Sequence, residues 1–184
     1  MVIPDEARDR PDAPPPRTLV IATKLATKNL LERLHECQLL PAKSPGIPFD
    51  ELVNYMRQAA DALDYLNTPQ HPLGERLVSI QHRDIKPENI LLAANTVKVT
   101  DFGLAKVLEG SSAIIHGDSA GLTLHYAAPE VFLGEITARS DQYSLALTYL
   151  HLRTGVVPFA SRTKAEIMRL HMEGRIDLSL LPEP

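Results

Sequence analysis

Apolar residues follow helical spacing in two stretches of the first half of the chain. The first stretch starts after Asn29, a residue type that caps helix N-termini by accepting a backbone hydrogen bond. The second begins at about Asp50 and must end before Pro69, because proline interrupts the helical hydrogen-bond ladder. Its apolar residues lie on one face, which we expect in the core: Leu52, Met56, Ala59, Leu63 and Leu66.

Two further helices are predicted in the second half. One starts at Ser140 as its N-cap and ends at Gly155, and the other starts with a capping box of Thr163 and Glu166. Short apolar runs over 90–92 and 97–99 predict a β-hairpin, and residues 19–22 predict a single strand. The expected fold class is therefore α+β, mostly helical with one small hairpin. Chemistry is expected in the polar loops beside that hairpin.

Composition limits the class of protein. The 184 residues are 44% hydrophobic and 23% charged, which is enough for one core and too little for two ordinary domains. Residues 1–17 contain five prolines and predict a disordered tail, which leaves 18–184 as the folded domain. The net charge of −4 gives no attraction for nucleic acid, and no apolar run is long enough to span a membrane. The single cysteine, Cys37, excludes an internal disulfide and favours the cytoplasm.

Two polar motifs flank the predicted hairpin. HRDIKPEN, at 82–89, precedes it and brings together a carboxylate, an amine and a carboxamide in Asp84, Lys86 and Asn89. DFG, at 101–103, follows it. Phosphoryl transfer needs a group that accepts the hydroxyl proton, cations that neutralise the phosphate oxygens, and ligands that hold those cations. The two motifs supply candidates for all three.

These motifs, followed by APE at 128–130, resemble the serine/threonine protein kinase family of the eukaryotic-like, Hanks type. The resemblance implies ATP as phosphate donor, Mg²⁺, and a protein substrate with a serine or threonine acceptor. Asp84 would orient the substrate hydroxyl and receive its proton, and Lys86 would meet the transferring phosphate. Asn89 and Asp101 would hold Mg²⁺ through hard oxygen ligands. We expect Asp84 to be an exposed loop carboxylate.

The same resemblance implies where the adenine of ATP would lie. Ala22 would stand near the gatekeeper position, and Lys24 and Leu25 would offer backbone groups in the hinge. Leu91 would form the apolar floor of the pocket, although burial in the hairpin core explains a leucine there equally well.

Residues 101–130 resemble an activation segment. Thr123 would hydrogen-bond the catalytic aspartate and lysine. The family uses an arginine such as Arg83 to bind a phosphorylated segment, which makes three serines candidate switch sites: Ser111, Ser112 and Ser119. A mobile polar loop explains these serines equally well.

The other matched positions are expected to be structural. Asp141 would anchor the backbone of the catalytic loop from a buried helix, and His82 would pack beneath that loop and bond its backbone. Phe102, Gly103 and Glu130 complete their motifs. The remaining histidines are expected to lie at the surface or to have internal partners.

A kinase of this family carries a glycine-rich loop, a strand lysine and a helix glutamate before its hinge, and no such elements precede Leu19. The sequence also ends before the arginine that would pair with Glu130. The expected fold is thus an incomplete kinase fold, a C-lobe to about helix G with the N-lobe largely missing.

One lost electrostatic donor commonly costs about 10²- to 10³-fold in turnover, so weak or absent activity is expected. The alternative is a non-catalytic fragment or pseudokinase-like interaction module. In either case the chain could associate through exposed apolar faces of its helices.

Overall fold

The computed structural model describes residues 26–39, 45–102, 105–108, 112–114 and 123–181. Within them lie four α-helices: α1 Leu30–Leu39, α2 Phe49–Asn67, α3 Ser140–Thr154 and α4 Lys164–Met172. The strands are β1 Lys28–Asn29, β2 His71–Leu73, β3 Arg76–Gln81, β4 Ile90–Ala93, β5 Thr96–Val99, β6 Lys106–Leu108, β7 Ser112–Ile114 and β8 Glu135–Thr137. Two short 3₁₀ helices cover Pro87–Asn89 and Pro129–Leu133.

The helix ends follow local side-chain chemistry. At α1, Asn29 Oδ1 accepts from the Glu32 amide at 2.9 Å, and the Glu32 carboxylate accepts from the Asn29 amide at 2.7 Å. Thr163 and Glu166 form the same reciprocal pair at α4, as predicted. The predicted α2 is also confirmed, with its start one residue earlier at Phe49.

The prediction that Ser140 caps α3 is wrong. Arg139 occupies the N-cap position, and Ser140 is the first helical residue. Its hydroxyl donates instead to Glu130 Oε1 at 2.6 Å and accepts from the Thr137 amide at 3.0 Å. The Ser140 hydroxyl therefore bonds Glu130 and Thr137, outside the helix, and does not cap its N-terminus.

The described residues hold more β structure than the one predicted hairpin. That hairpin is confirmed as β4 and β5, with Ile90 opposite Val99, and β1 adds to its free edge. Two further sheets have the strand orders β2-β3-β6 and β7-β8, and all pairings are antiparallel. β2 and β3 meet at a two-residue turn in which Gly74 has φ 62°, a left-handed value that suits glycine.

The main core lies between α1, α2 and the β4–β5 hairpin. Its buried apolar members include Leu34, Leu52, Leu63, Ile90 and Leu92. A second cluster gathers Tyr126 with Leu147 and Leu150 of α3. Because α3 contributes Leu152 to the first cluster as well, it joins the two cores and gives the loops around it a fixed support.

An open apolar groove of about 730 Å³ lies between α2, α3 and the residues after α4. Val53, Met56, Leu145 and Leu178 contribute to its walls, and Val53 is 43% exposed.

None of the described helices combines the length and the apolar character needed to cross a membrane.

Candidate active site

The HRDIKPEN loop connects β3 to β4, and its backbone is held by a buried carboxylate from α3. Asp141 Oδ2 accepts from the His82 amide at 2.7 Å, and its Oδ1 accepts from the Arg83 amide at 2.8 Å. Asp141 is fully buried, and this burial raises its pKa against the opposing effect of the two amides. Arg83 has a left-handed φ of 70°, which costs roughly 1–2 kcal/mol for a residue with a Cβ. The paired amide bonds hold the loop in that conformation.

His82 ties the loop to the end of β5. Its Nε2 lies 2.8 Å from the Thr100 carbonyl oxygen, which can only accept, so Nε2 carries the proton. Its Nδ1 is then free to accept from the Asp84 amide at 3.3 Å. The ring also meets Phe102 edge to face, with centroids 4.8 Å apart. This buried imidazole therefore links both polar motifs through backbone groups.

Three side chains converge on the Asp84 carboxylate. Thr123 donates to Asp84 Oδ1 at 2.9 Å, while Lys86 Nζ and Asn89 Nδ2 lie 2.8 and 2.9 Å from Oδ2. Lys86 also donates to the Thr123 hydroxyl at 3.0 Å. Three positive or partly positive hydrogens therefore face the two oxygens of Asp84.

The expectation that Asp84 is an exposed carboxylate is wrong, because it is only 8% exposed. Its oxygens are covered by the groups that hydrogen-bond them. The loop folds over its own carboxylate because Asn89 also donates to the Asp84 backbone carbonyl at 2.8 Å.

The hairpin register sets where Asp101 lies. Ile90 pairs with Val99, and the Thr100 amide donates to the Asn89 carbonyl at 3.0 Å, so Asp101 follows directly after the residue bonded to Asn89. Asp101 has a left-handed φ of 65° and an exposed side chain. The Asn89 amide group uses both hydrogens on Asp84, and these bonds do not occupy its side-chain oxygen.

The APE motif is joined to the start of α3. Glu130 Oε1 accepts from Ser140 at 2.6 Å and from the Thr137 hydroxyl at 3.2 Å. These hydroxyls stand next to Asp141, so the segment after Thr123 and the HRDIKPEN loop rest on the same end of one helix. No sequence pattern indicated Thr137 or Ser140 as partners of Glu130.

The remaining predicted positions are placed as follows. Leu91 is half-buried on the face of β4 opposite the buried Ile90 and Leu92, as strand alternation requires. Ser112 lies in β7 opposite Thr137 of β8, so a strand replaces the polar loop there. Six predicted site residues lie outside the described residues: Ala22, Lys24, Leu25, Gly103, Ser111 and Ser119.

Two histidines without a role predicted from the sequence are buried beside the Thr123 segment. His151 Nδ1 lies 2.7 Å from the Tyr126 hydroxyl, and His171 Nδ1 lies 2.8 Å from the Tyr143 hydroxyl. Burial lowers the pKa of both imidazoles to about 4, which keeps them neutral. Burial also raises the pKa of Tyr143 to about 12.

The order of the loop, hairpin, DFG and APE segments, with the loop and the APE motif both bonded by the start of α3, is typical of a protein kinase domain. Residues 14–181 match the protein kinase domain family, and the chain belongs to that family. It is 35% identical over 133 residues to the serine/threonine-protein kinase PknF of Mycobacterium tuberculosis, covering 69% of this chain and 26% of that protein. It is 36% identical over 138 residues to the serine/threonine-protein kinase PrkC of Bacillus subtilis, covering 74% and 20% respectively. The chain thus spans about a quarter or less of the curated relatives it matches.

Similarity extends beyond bacteria. The chain is 35% identical over 111 residues to calcium-dependent protein kinase 29 of Arabidopsis thaliana, covering 58% of this chain and 20% of that protein.

Proposed function

We propose that this chain carries the phosphoryl-transfer site of a serine/threonine protein kinase, which moves the terminal phosphoryl group of ATP to a serine or threonine hydroxyl of a protein. The observation that carries the proposal is the fixed Asp84 carboxylate, bonded by Thr123, Lys86 and Asn89 within 2.8–2.9 Å. Asp84, Lys86 and Asn89 share one loop, and folding brings Thr123 to them from 39 residues beyond Asp84. We further propose that the described unit is the lobe bearing the catalytic loop.

The geometry supports a separate role for each group. Asp84 is a carboxylate held in one orientation, so it would accept the proton that leaves the attacking hydroxyl. Lys86 would place its ammonium beside the transferring phosphate, where charge builds up in the transition state. Thr123 bridges both, since its hydroxyl donates to Asp84 and accepts from Lys86. It would keep base and cation at a constant separation while a substrate is bound.

Mg²⁺ fits the oxygen donors at this site. The Asn89 side-chain oxygen is left available by the bonds that its nitrogen makes, and Asp101 presents an exposed carboxylate one residue after the hydrogen-bonded Thr100. Hard oxygen ligands of this kind suit Mg²⁺, which would neutralise charge on the phosphates. Asn89 and Asp101 are therefore the proposed ligands.

ATP is proposed to bind against the face of β4 that carries Leu91, because the opposite face is used by the core. Ala22, Lys24 and Leu25 are the proposed hinge residues from the sequence resemblance. The proposed switch sites are Ser111, Ser112 and Ser119, with Arg83 as the cation that a phosphorylated segment would meet.

The cytoplasm is the proposed compartment, supported by a single buried cysteine, Cys37. The apolar groove between α2 and α3 is the proposed surface for association. The non-catalytic alternative has less support, because the matched relatives are themselves named serine/threonine kinases.

The test is phosphate transfer from γ-labelled ATP to a general protein acceptor, with and without Mg²⁺, followed by phosphoamino-acid analysis. We expect Mg²⁺-dependent label on serine or threonine, lost by about 10²- to 10⁴-fold in Asp84→Asn because the proton acceptor is removed. Asp64→Asn, an exposed carboxylate on α2, is the matched control and should retain activity. Label mainly on tyrosine, or equal activity in both variants, would refute the proposal.

A further inference from the structure

The turn that follows Thr123 is held by imidazoles on two sides. His171 Nε2, from α4, lies 2.9 Å from the Leu124 carbonyl oxygen. His125, within the turn, reaches the Pro158 carbonyl at 2.8 Å. The Tyr126 amide closes the turn onto the Thr123 carbonyl at 3.0 Å. The backbone on the C-terminal side of Thr123 is therefore fixed by side chains distant in sequence.

The chemistry of its partners assigns the tautomer of His171. The Leu124 carbonyl can only accept, so the Nε2 atom of His171 carries the proton. Its Nδ1 then accepts from the Tyr143 hydroxyl of α3 at 2.8 Å. The result is one hydrogen-bonded chain that runs from α3 through α4 to the carbonyl of Leu124, the residue after Thr123.

The surroundings of His171 prevent the ring from turning. It is 1% exposed and contacts the rings of Phe159, Phe132 and Tyr143, with the Phe159 centroid 4.5 Å away. Phe159 has a left-handed φ of 56°, a conformation that costs energy for a residue with a Cβ. This packing fixes the ring plane, so Nε2 points to Leu124 alone.

A histidine that only filled space would be an inefficient choice here. Burying an imidazole loses its bonds to water, whereas a phenylalanine or leucine would fill the same volume without that loss. Both of its nitrogens are nevertheless paired, and one pairs with the peptide group next to a hydroxyl that bonds Asp84. The location of that bond indicates a role in orientation.

We propose that His171 is a positioning residue for Thr123, acting through the Leu124 carbonyl to hold the Thr123 hydroxyl between Asp84 and Lys86. Part of this inference rests on the proposed kinase function, since the consequence for turnover depends on it. The positioning of Thr123 by His171 does not depend on the kinase function.

The test combines hydrogen exchange with turnover in His171→Phe, which keeps a ring and removes the donor, and His171→Gln, whose amide can still donate to Leu124. His35→Phe, at an exposed position on α1, is the control. We expect exchange over residues 123–127 to rise about tenfold in His171→Phe, the factor for one buried hydrogen bond, and to return towards the parent in His171→Gln. Exchange in the β4–β5 hairpin should stay unchanged. In steady-state kinetics of His171→Phe, kcat should fall and KM for ATP should stay unchanged.

An equal rise of exchange throughout the domain, or no recovery in His171→Gln, would show a merely structural role and overturn the inference. If His171→Phe does not fold, Tyr143→Phe, which removes the donor to His171 Nδ1, should give a smaller rise over the same residues, and nitrogen NMR of the parent reports the tautomer independently. An Nδ1-protonated tautomer at His171 would also overturn it. If the parent shows no phosphate transfer, the proposed function fails, while exchange and tautomer still decide on positioning.

Discussion

Asp141 accepts the His82 backbone amide at 2.7 Å across 59 residues of sequence, from a position with no exposed surface. A buried carboxylate loses much of its hydration energy, and here the compensation comes from backbone amides of the HRDIKPEN loop. The free-energy cost of burying Asp141 therefore depends on the conformation of the loop that contains Asp84.

Asp141→Asn should destabilise the domain by about 2–4 kcal/mol, because one of the two amides would face an NH₂ group and lose its acceptor. Urea denaturation followed by circular dichroism measures the loss. Asp61→Asn, an exposed carboxylate in the middle of α2, is the control and should change stability by less than about 0.5 kcal/mol. Similar losses in both variants would contradict the anchoring role.

Thr123→Val removes the hydroxyl that joins Asp84 to Lys86 with almost no change in side-chain volume. We expect turnover to fall about 10²-fold, the usual effect of one preorganised group, with the melting temperature little changed. Thr123→Ser keeps the hydroxyl and should stay within a few-fold of the parent. Steady-state kinetics on a serine-containing peptide provides the measurement, and unchanged turnover in Thr123→Val would disprove the bridging role.

The elements that the sequence predicted well are those whose signal is local. The α2 face, the Asn29 cap of α1, the Thr163–Glu166 capping box and the β4–β5 hairpin each depend on residues close together in sequence. The β2–β3 hairpin was missed because Pro72 is unfavourable in a strand and the turn residues Gly74 and Glu75 are not a strong hairpin signal.

In the candidate site, too, local motifs could be predicted, whereas contacts between residues distant in sequence could not. The motifs identified Asp84, Lys86 and Asn89, but the burial of Asp84 depends on covering groups that include Thr123, 39 residues away. The pairs Tyr126–His151 and Tyr143–His171 span 25 and 28 residues, so no local pattern reveals them. The residue type of a serine or histidine defines its hydrogen-bond donors and acceptors, but the fold determines which partners they bond.

Gly155 ends α3 with φ 74°, and a Cβ there would overlap the Pro45 carbonyl oxygen. Gly155→Ala should therefore cost about 3 kcal/mol or more, from left-handed strain and overpacking together. Gly74→Ala is a matched control, because Gly74 has φ 62° with no atom within 4 Å of an added Cβ and should show only the strain, about 1 kcal/mol. Urea denaturation of the pair separates the two effects. Equal losses would mean that the loop around Pro45 yields to the new methyl group.

Acidification should unfold the domain through its buried imidazoles. Burial lowers the pKa of His151 and His171 to about 4, whereas an unfolded histidine has a pKa near 6.5. Between these values the unfolded chain binds more protons, so the stabilisation is complete above pH 6.5 and is lost as the pH falls towards 4. At pH 5 each imidazole should account for a loss of roughly 2 kcal/mol relative to pH 7.

His171→Gln isolates one of these contributions, because glutamine does not titrate. The loss of stability between pH 7 and pH 5 should be smaller in this variant than in the parent by roughly 2 kcal/mol. Asp141 has a pKa raised by burial and acts with the opposite sign, but it is present in both proteins and cancels in the comparison. Urea denaturation at the two pH values gives the difference directly. Equal losses in parent and variant would mean that His171 takes up its proton in the folded state near its ordinary pKa, and that its hydrogen bonds to Leu124 and Tyr143 do not depend on a neutral ring.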